Sequence, residues 1–207
     1  MLLVTYIIIG ITVVLSFVAW SNPNIMQKWI FNPYTISKRN EWHRFLTSGF
    51  IHLDYLHLIF NMVSLYFLGI YAEKEFYRQF GENYQWIFVI FYLSAIIVAD
   101  IPVFWKNRNN AYYNALGASG AVSAIVFSAV MIEPNIRLLI FPIPFPVPGI
   151  LYAVLYVAYS AYMSKNARDN IGHDAHLYGS LYGVVFTLIF FPDSISKIIE
   201  AVKDIFS

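Results

Sequence analysis

The chain has 207 residues, of which 59% are hydrophobic and 12% charged, and its formal net charge is +1. A soluble domain usually carries about 25% charged residues, so this composition predicts a membrane protein that crosses the bilayer several times. The near-neutral charge gives no reason to expect nucleic acid as a partner. The absence of cysteine excludes disulfides, thiolate nucleophiles and cysteine-based metal sites.

Six apolar segments follow one another along the chain, and we predict one membrane-spanning helix in each. The first segment has no basic leader and no convincing cleavage site, so we interpret it as a retained span and not as a signal peptide. The expected fold is a single all-α membrane domain over residues 1–207. Its predicted spans are 2–20, 55–72, 84–104, 118–132, 149–163 and 175–191.

The connections between the spans differ in character. The first, 21–54, is long and rich in aromatic residues, and we expect it to fold into the membrane interface. The second, 73–83, is charged and is predicted to turn around Gly81. The alternating prolines of 141–148 predict an extended linker. The tail, 194–206, has apolar residues at helical spacing and predicts an amphipathic helix lying on the membrane surface.

The fourth span is too short to cross a bilayer. It opens with Gly-Ala-Ser-Gly at Gly117–Gly120 and ends at Ile132, before Glu133 and a proline. About 15 helical residues reach roughly 22 Å, against about 30 Å of hydrocarbon. The helix must therefore begin below the membrane surface, where irregular backbone is tolerated only against protein or a watery cavity. We expect Ser119 to lie at the floor of such a cavity.

The unusual polar residues of the even-numbered spans share one depth. With six spans, the second, fourth and sixth helices enter from the same side. His57 and Asn61 lie near the start of the second, Ser119 begins the fourth, and His176 is in the first turn of the sixth. Asp100 lies near the exit of the third span on that side. Polar residues in spans are costly and usually face the bundle interior, so this convergence predicts a functional site.

A serine and a histidine on neighbouring helices suffice for nucleophilic acyl transfer, because the imidazole can take the hydroxyl proton as the oxygen attacks a carbonyl. The resulting oxyanion needs donors. The backbone N–H of Ser119 is a candidate, since it begins a helix. The side chains of Asn61 and His57 could supply two more, and Gly117 and Gly120 would permit close approach.

Two glycines support a pairing of Ser119 with His176. Gly179 and Gly183 lie on the same side of the sixth helix as His176 and allow it to pack closely on the fourth. Ordinary small-residue packing would give the same pattern. Asp174 is close to His176 in sequence, but we interpret it as a loop carboxylate and not as a third catalytic group.

These residues together resemble the rhomboid family of intramembrane serine proteases, of the bacterial six-helix type. The resemblance is clearest from Trp42 to Gly183. It is carried by Glu41-Trp-His-Arg44, His52-x4-His57-x3-Asn61, Leu68-Gly69 with Glu73, Gly117-Ala-Ser-Gly120, the proline-rich entry to the fifth span, and Ala175-His176-x2-Gly179-x3-Gly183.

The resemblance implies a serine endopeptidase that cleaves transmembrane segments of membrane-anchored proteins, with Ser119 as nucleophile and His176 as general base. It implies an oxyanion hole formed by His57, Asn61 and the Ser119 amide, no cofactor and no metal. Substrate access in the family is attributed to movement of the fifth helix and the loop after it. The structural residues near the site would be Gly117, Gly120, Gly179, Gly183, Arg44 and Glu73.

The chain departs from the family at Ser123. Many members carry an aromatic residue four positions after the nucleophile, and its ring stacks on the catalytic imidazole. Tyr178 or Phe127 could take over that support here.

The distribution of basic residues disagrees with the orientation that the family implies. The family places the site outside a bacterial inner membrane, with both chain ends in the cytoplasm. More basic residues lie on the site side than on the other, which the positive-inside rule would assign to the cytoplasm. Half of them are in the first loop, and we follow the family. The basic residues on the site side are Lys28, Lys38, Arg39, Arg44, Lys106, Arg108, Lys165 and Arg168. Those on the other side are Lys74, Arg78, Arg137, Lys197 and Lys203.

Other functions remain open. A metal-dependent membrane hydrolase could use His52, His57, His173 and His176, although no H-E-x-x-H motif is present. A rhomboid-like protein could also bind membrane segments without cleaving them. A channel or carrier would spread its polar groups along a path, whereas here they stop near one surface.

Overall fold

A computed structural model describes residues 3–140, 144–166 and 172–206, and this part of the chain is mainly helical. A short antiparallel sheet pairs β1 (Arg137–Leu138) with β2 (Val147–Pro148). The helices, in chain order, are α1 (Val4–Ser21), α2 (Pro23–Trp29), α3 (Pro33–Arg39), α4 (Arg44–Thr47), α5 (Tyr55–Ser64), α6 (Ile70–Phe80), α7 (Tyr84–Asn107), α8 (Ser119–Ile132), α9 (Gly149–Asn166), α10 (His173–Phe190) and α11 (Ser194–Phe206).

The short helix α8 forms the centre of the bundle. It is apolar on all sides, and 12 of its 14 residues are buried. A helix of this kind is buried in a protein core or in a membrane. Here α8 packs against α10, α7 and the helical segment that runs from α5 to α6. The residue that begins it, Ser119, is partly exposed at one end of the core.

The second predicted span, 55–72, lies within a longer helical segment. A π-helical turn at Leu65–Gly69 joins α5 to α6, so helical backbone continues from Tyr55 to Phe80. The helix thus continues beyond residue 72, where the second span is predicted to end. Lys74 and Arg78 lie on its exposed face, whereas Ala72, Glu73 and Phe76 are buried. The predicted turn lies at Gly81, whose φ of 57° ends the helix.

Glu73 has a structural role far from the candidate site. Its carboxylate accepts hydrogen bonds from the backbone N–H groups of Val4 and Thr5, both at 2.9 Å. A carboxylate is stabilised at a helix N-terminus by unpaired amides and by the helix dipole. Glu73 lies 12 residues beyond Asn61 on the same helix, which is about 18 Å along the axis. Its expected place near the site was therefore wrong.

The first loop is folded, with α2, α3, α4 and a 3-10 turn at Ser48–Phe50. Arg44 is buried within it. Its guanidinium donates to the carbonyls of Gln27 and Ile30 at 2.7 and 2.8 Å, and to Glu41 at 2.7 Å. One side chain thus joins the end of α2 to the segment that leads into α4.

Within the described residues, two stretches could cross a membrane by length and apolarity alone: Val4–Ser21 and the run Tyr55–Asn107, which contains two of the predicted spans. The count of six spans therefore stays a prediction.

The proline-rich linker is non-helical over 144–148, and its end pairs with β1 in a hairpin that the sequence did not predict. Residues 2, 141–143 and 168, which entered the sequence predictions, lie outside the described residues.

The tail forms the helix α11, as predicted. Ala201 faces the protein and is buried, whereas Ile195 and Ile199 are about half exposed. Lys197 donates to the carbonyl of Ile132 at the end of α8, at 3.1 Å. Its basic side chain thus satisfies a carbonyl that the helix leaves free.

Candidate active site

The loop that precedes Ser119 is held by the folded first loop. Phe31 and Ala115 exchange two backbone hydrogen bonds of 2.9 Å. The side-chain amide of Asn32 donates to the carbonyls of Ala111 and Tyr113 at 3.1 and 3.0 Å. Segments about 80 residues apart in sequence are thereby fixed to each other.

The two residues before Ser119 donate their backbone N–H groups to the first loop. Gly117 donates to the carbonyl of Ser48 at 2.9 Å, and Ala118 donates to Nε2 of His52 at 3.3 Å. Gly117 has a φ of 117°, a conformation that side chains with a Cβ rarely adopt. The turn that carries Ser119 is therefore fixed on both sides of its bend.

His52 is fully buried, and its hydrogen bonds define its protonation. Because Nε2 accepts from an amide N–H, the ring proton must be on Nδ1, which lies 3.0 Å from Oγ of Ser16. Ser16 then donates to the carbonyl of Phe50 at 3.2 Å. Burial, and then the neighbouring His57, lower the pKa of His52 to about 3, although Asp54 acts in the opposite direction. His52 is therefore a neutral positioning group.

His57 lies directly against the turn. A Cβ placed on Gly117 would come within 2.5 and 2.7 Å of Cε1 and Nε2 of His57, so only glycine fits between this ring and the backbone before Ser119. Asp54 caps the N-terminus of α5, and its side chain accepts a hydrogen bond from the backbone N–H of His57 at 2.8 Å. Asn61 lies one turn further and donates one N–H of its amide to the carbonyl of His57 at 2.8 Å.

The helices α8 and α10 touch through their backbones. A Cβ on Gly179 would lie 2.1 Å from the carbonyl oxygen of Gly120, and one on Gly183 would lie 2.2 Å from that of Ala124. A Cβ on Gly120 would lie 3.5 Å from the carbonyl oxygen of Ala175. Gly120 therefore contacts α10 on both sides of His176, at residues 175 and 179.

An aromatic ring supports His176, but it comes from a helix that the sequence analysis did not consider for this role. The ring of Tyr156, on α9, stacks on that of His176 with centroids 6.2 Å apart and planes inclined by 26°. Ser123 binds the Tyr156 hydroxyl at 2.9 Å. The suggestion of Tyr178 or Phe127 was wrong: Tyr178 is exposed, and Phe127 contacts Tyr156 instead.

Asp174 is paired with residues outside the candidate site. It forms an ion pair with Lys106 of α7 at 2.7 Å and accepts a hydrogen bond from the hydroxyl of Ser164 on α9. Lys106 also donates to the carbonyl of Ser164 at 3.0 Å. Asp174 lies in the first turn of α10, so its interpretation as a loop residue was wrong. Its contacts join the ends of α7, α9 and α10.

The structure thus places Ser119 between two contacts. On one side Gly117 meets His57, and on the other Gly120 meets α10 around His176. Of the other predicted residues, Gly183 lies one turn deeper in the same helix contact, and Arg44 acts within the first loop. Sequence reasoning missed the contacts of Ser16, Ser48 and Tyr156, because each joins elements distant in sequence. The one sequence signal was Ser123, which stands where many family members have an aromatic residue and so indicated that another ring would have to contact His176.

Residues 39–193 match the Rhomboid domain family. The chain is 27% identical over 183 residues to RHOMBOID-like protein 12, mitochondrial, of Arabidopsis thaliana, covering 82% of this chain and 53% of that protein. It is 28% identical over 195 residues to Rhomboid protein 1, mitochondrial, of Saccharomyces cerevisiae, covering 87% and 51%. It is 23% identical over 176 residues to Rhomboid protease AarA of Providencia stuartii, covering 77% and 59%.

The chain therefore spans about half the length of these curated relatives. The family match covers about three quarters of the chain, and it includes α4 to α10 with every site residue predicted from the sequence. The match and the apolar helices identify a membrane protein. The chain belongs to the rhomboid family.

Proposed function

We propose that this protein is an intramembrane serine endopeptidase that cleaves transmembrane segments of membrane-anchored proteins through a dyad of Ser119 and His176. The observation that carries the proposal is the backbone contact of Gly120 with Ala175 and Gly179, because it brings the first turns of α8 and α10 together. Membership of a family that includes a named protease supports it.

In the proposed reaction, Oγ of Ser119 attacks the carbonyl carbon of the scissile peptide bond while His176 takes the hydroxyl proton. The imidazolium then gives this proton to the leaving amine. Water hydrolyses the acyl-enzyme with His176 again acting as base. A carboxylate is not assigned to the mechanism, since Asp174 is bound to Lys106 and Ser164.

The oxyanion would be stabilised by the Ser119 amide, His57 and Asn61. The amides of Gly117 and Ala118 are bound to the first loop, so the N–H of Ser119 is the first in the turn that can serve. It begins α8, where the helix dipole favours negative charge. Asn61 can donate through its second N–H while the first stays on His57.

The substrates we propose are membrane proteins whose transmembrane helix is easily unwound, because a stable helix withholds its carbonyls in backbone hydrogen bonds. A bundle of six spans, with the site facing the outside and both described ends on the inner side, belongs to the same proposal, as does a single domain over the whole chain. The relatives include mitochondrial proteins, so they do not support a bacterial inner membrane over a mitochondrial membrane.

Two other functions explain the contacts less well. A metal hydrolase is disfavoured by His52, whose two ring nitrogens are engaged by Ser16 and Ala118. Across the described ranges, no three His, Asp or Glu side chains are grouped so as to hold a metal ion. A non-catalytic binder of membrane segments would not need both Ser119 and His176.

The test is cleavage of a reconstituted single-span substrate. We expect Ser119→Ala and His176→Ala each to abolish cleavage while the protein stays folded, and Asn61→Ala to lower the rate about 10–1000-fold through loss of one oxyanion donor. Ser128→Ala, deeper in α8, and His43→Ala, in the first loop, are matched controls that should keep activity. Cleavage that persists in Ser119→Ala would end the assignment, and a folded wild-type protein that binds but never cleaves would favour the non-catalytic function.

A further inference from the structure

The helices α9 and α10 meet through four rings beside the candidate site. Tyr156 stacks on His176, and Tyr159 meets His173 edge-on with centroids 5.6 Å apart. The rings of His173 and His176 are themselves 6.0 Å apart and inclined by 78°. Tyr156 and Tyr159 are three residues apart and lie on one face of α9. His173 and His176 are also three residues apart and lie on one face of α10. The imidazole of His176 is thus stacked against Tyr156 and lies nearly perpendicular to the ring of His173.

Tyr156 is itself held in place from α8. Its hydroxyl and that of Ser123 are 2.9 Å apart, and its ring packs against Phe127 with centroids 5.7 Å apart. Ser123 is four residues after Ser119, so both lie on one face of α8. Tyr156 therefore contacts the helix face that bears the proposed nucleophile and also the ring of the proposed base.

We propose that Tyr156 is a positioning residue for His176 and that its hydrogen bond to Ser123 fixes the distance between the imidazole and Ser119. This inference rests on the proposed function. An imidazole can turn about its side-chain torsions, and proton transfer is sensitive to shifts of about 1 Å. A ring stacked across its face limits that rotation. The phenol face also attracts the imidazolium that forms when His176 accepts the proton.

The support for the base consequently comes from α9. Because Ser123 offers no ring, a displacement of α9 removes Tyr156 from both Ser123 and His176. The position of α9 and the alignment of the base are then coupled in this chain.

The experiment compares the rate at which a fluorophosphonate labels Ser119 with the kcat of substrate cleavage, and measures the Tm of each variant. We expect Tyr156→Leu to lower both rates by about 10–100-fold with little change in KM. Tyr156→Phe keeps the ring and loses only the hydrogen bond, so a decrease of about 2–5-fold is expected. Ser123→Ala removes the same bond from its other end and should cost the same. The double variant should be no slower than either single one.

Tyr162→Leu is the matched control, since this tyrosine is on α9 but is exposed, and it should label at the wild-type rate. A wild-type labelling rate in Tyr156→Leu overturns the inference. So does a double variant of Tyr156→Phe and Ser123→Ala whose loss of rate is the sum of the two single losses in free energy. If Tyr156→Leu does not fold, the comparison of this double variant with its single variants decides the test. Absence of Ser119-dependent labelling in the wild type would instead reject the proposed function.

Discussion

At the scale of single residues, His52 links the fold of the first loop to the turn before Ser119. Its unprotonated Nε2 accepts the Ala118 amide, and its Nδ1 proton is directed to Ser16. Protonation of Nε2 would place two donors against each other inside the protein. His52 is fully buried, so the charged ring would also lose its hydration by bulk water at a cost in free energy.

The pKa of His52 therefore predicts a pH dependence of stability. It is about 3 in the folded protein and near 6.5 in an unfolded chain. Between these values the unfolded state binds more protons, so the free energy of unfolding rises with pH. The stabilisation should be complete above about pH 7 and be lost as the pH falls from about 6.5 towards 3, by at most about 5 kcal/mol.

Unfolding of the purified protein in detergent, followed from about pH 4 to about pH 8, measures this dependence. His52→Gln can still accept from Ala118 but does not titrate, so its stability should vary less with pH in this window. His43→Gln removes an exposed histidine and should leave the wild-type dependence. An equal pH dependence in His52→Gln and the wild type would contradict the role of His52.

Much of the candidate site could be predicted from single residues. The spacing of His57 and Asn61, the glycines around Ser119 and the position of His176 are all local patterns. The hydrogen bond from Gly117 to Ser48 and the stacking of Tyr156 on His176 have no local signature. They arise when a loop and a helix distant in sequence fold against α8, so no pattern within one segment could predict them.

At the scale of helices, the contact between α8 and α10 depends on glycine. A Cβ at Gly179 or Gly183 would collide with backbone carbonyls of α8 at 2.1 and 2.2 Å. Backbone at the centre of a bundle cannot shift as the end of a flexible side chain can. The two helices would have to separate.

We therefore expect Gly179→Ala and Gly183→Ala each to lower the free energy of unfolding by at least about 1–3 kcal/mol, and to reduce activity as the helices move apart. Gly10→Ala on α1 is the matched control, because nothing lies within 4 Å of its added Cβ. Alanine should be neutral there, or stabilising by up to about 1 kcal/mol. Unfolding midpoints in detergent give the comparison. A Gly179→Ala protein as stable as Gly10→Ala would disprove the backbone contact.

Sequence patterns predicted where most helices begin. Helical backbone continues eight residues past residue 72, the predicted end of the second span, because the polar residues that follow can extend a helix beyond the apolar segment. The hairpin of β1 and β2 was missed because four residues of strand carry too little periodicity to be recognised. Glu73 was placed near the site by resemblance, although the length of its own helix puts it at the other end.

At the scale of the whole molecule, the proposed six spans predict which loops share a side of the membrane. Asn110, between α7 and α8, and Asn166, at the end of α9, should lie on the site side. Glu82, before α7, and Ser196, in α11, should lie on the other. All four residues are exposed.

The chain has no cysteine, so one introduced cysteine at a time reports its side without a background. In sealed vesicles, a membrane-impermeant maleimide should label Asn110→Cys and Asn166→Cys from one side, and Glu82→Cys and Ser196→Cys only from the other. The family orientation places the first pair outside. Labelling of Asn110→Cys and Glu82→Cys from the same side would contradict the six-span arrangement.

The central claim is that His176 activates the hydroxyl of Ser119, and fluorophosphonate labelling tests it without knowledge of the substrate. The wild-type protein in detergent should form a covalent adduct located at Ser119 by mass spectrometry. Ser119→Ala should form none, and His176→Ala should label far more slowly. An adduct of equal yield in Ser119→Ala, or an unchanged rate in His176→Ala, would contradict the account.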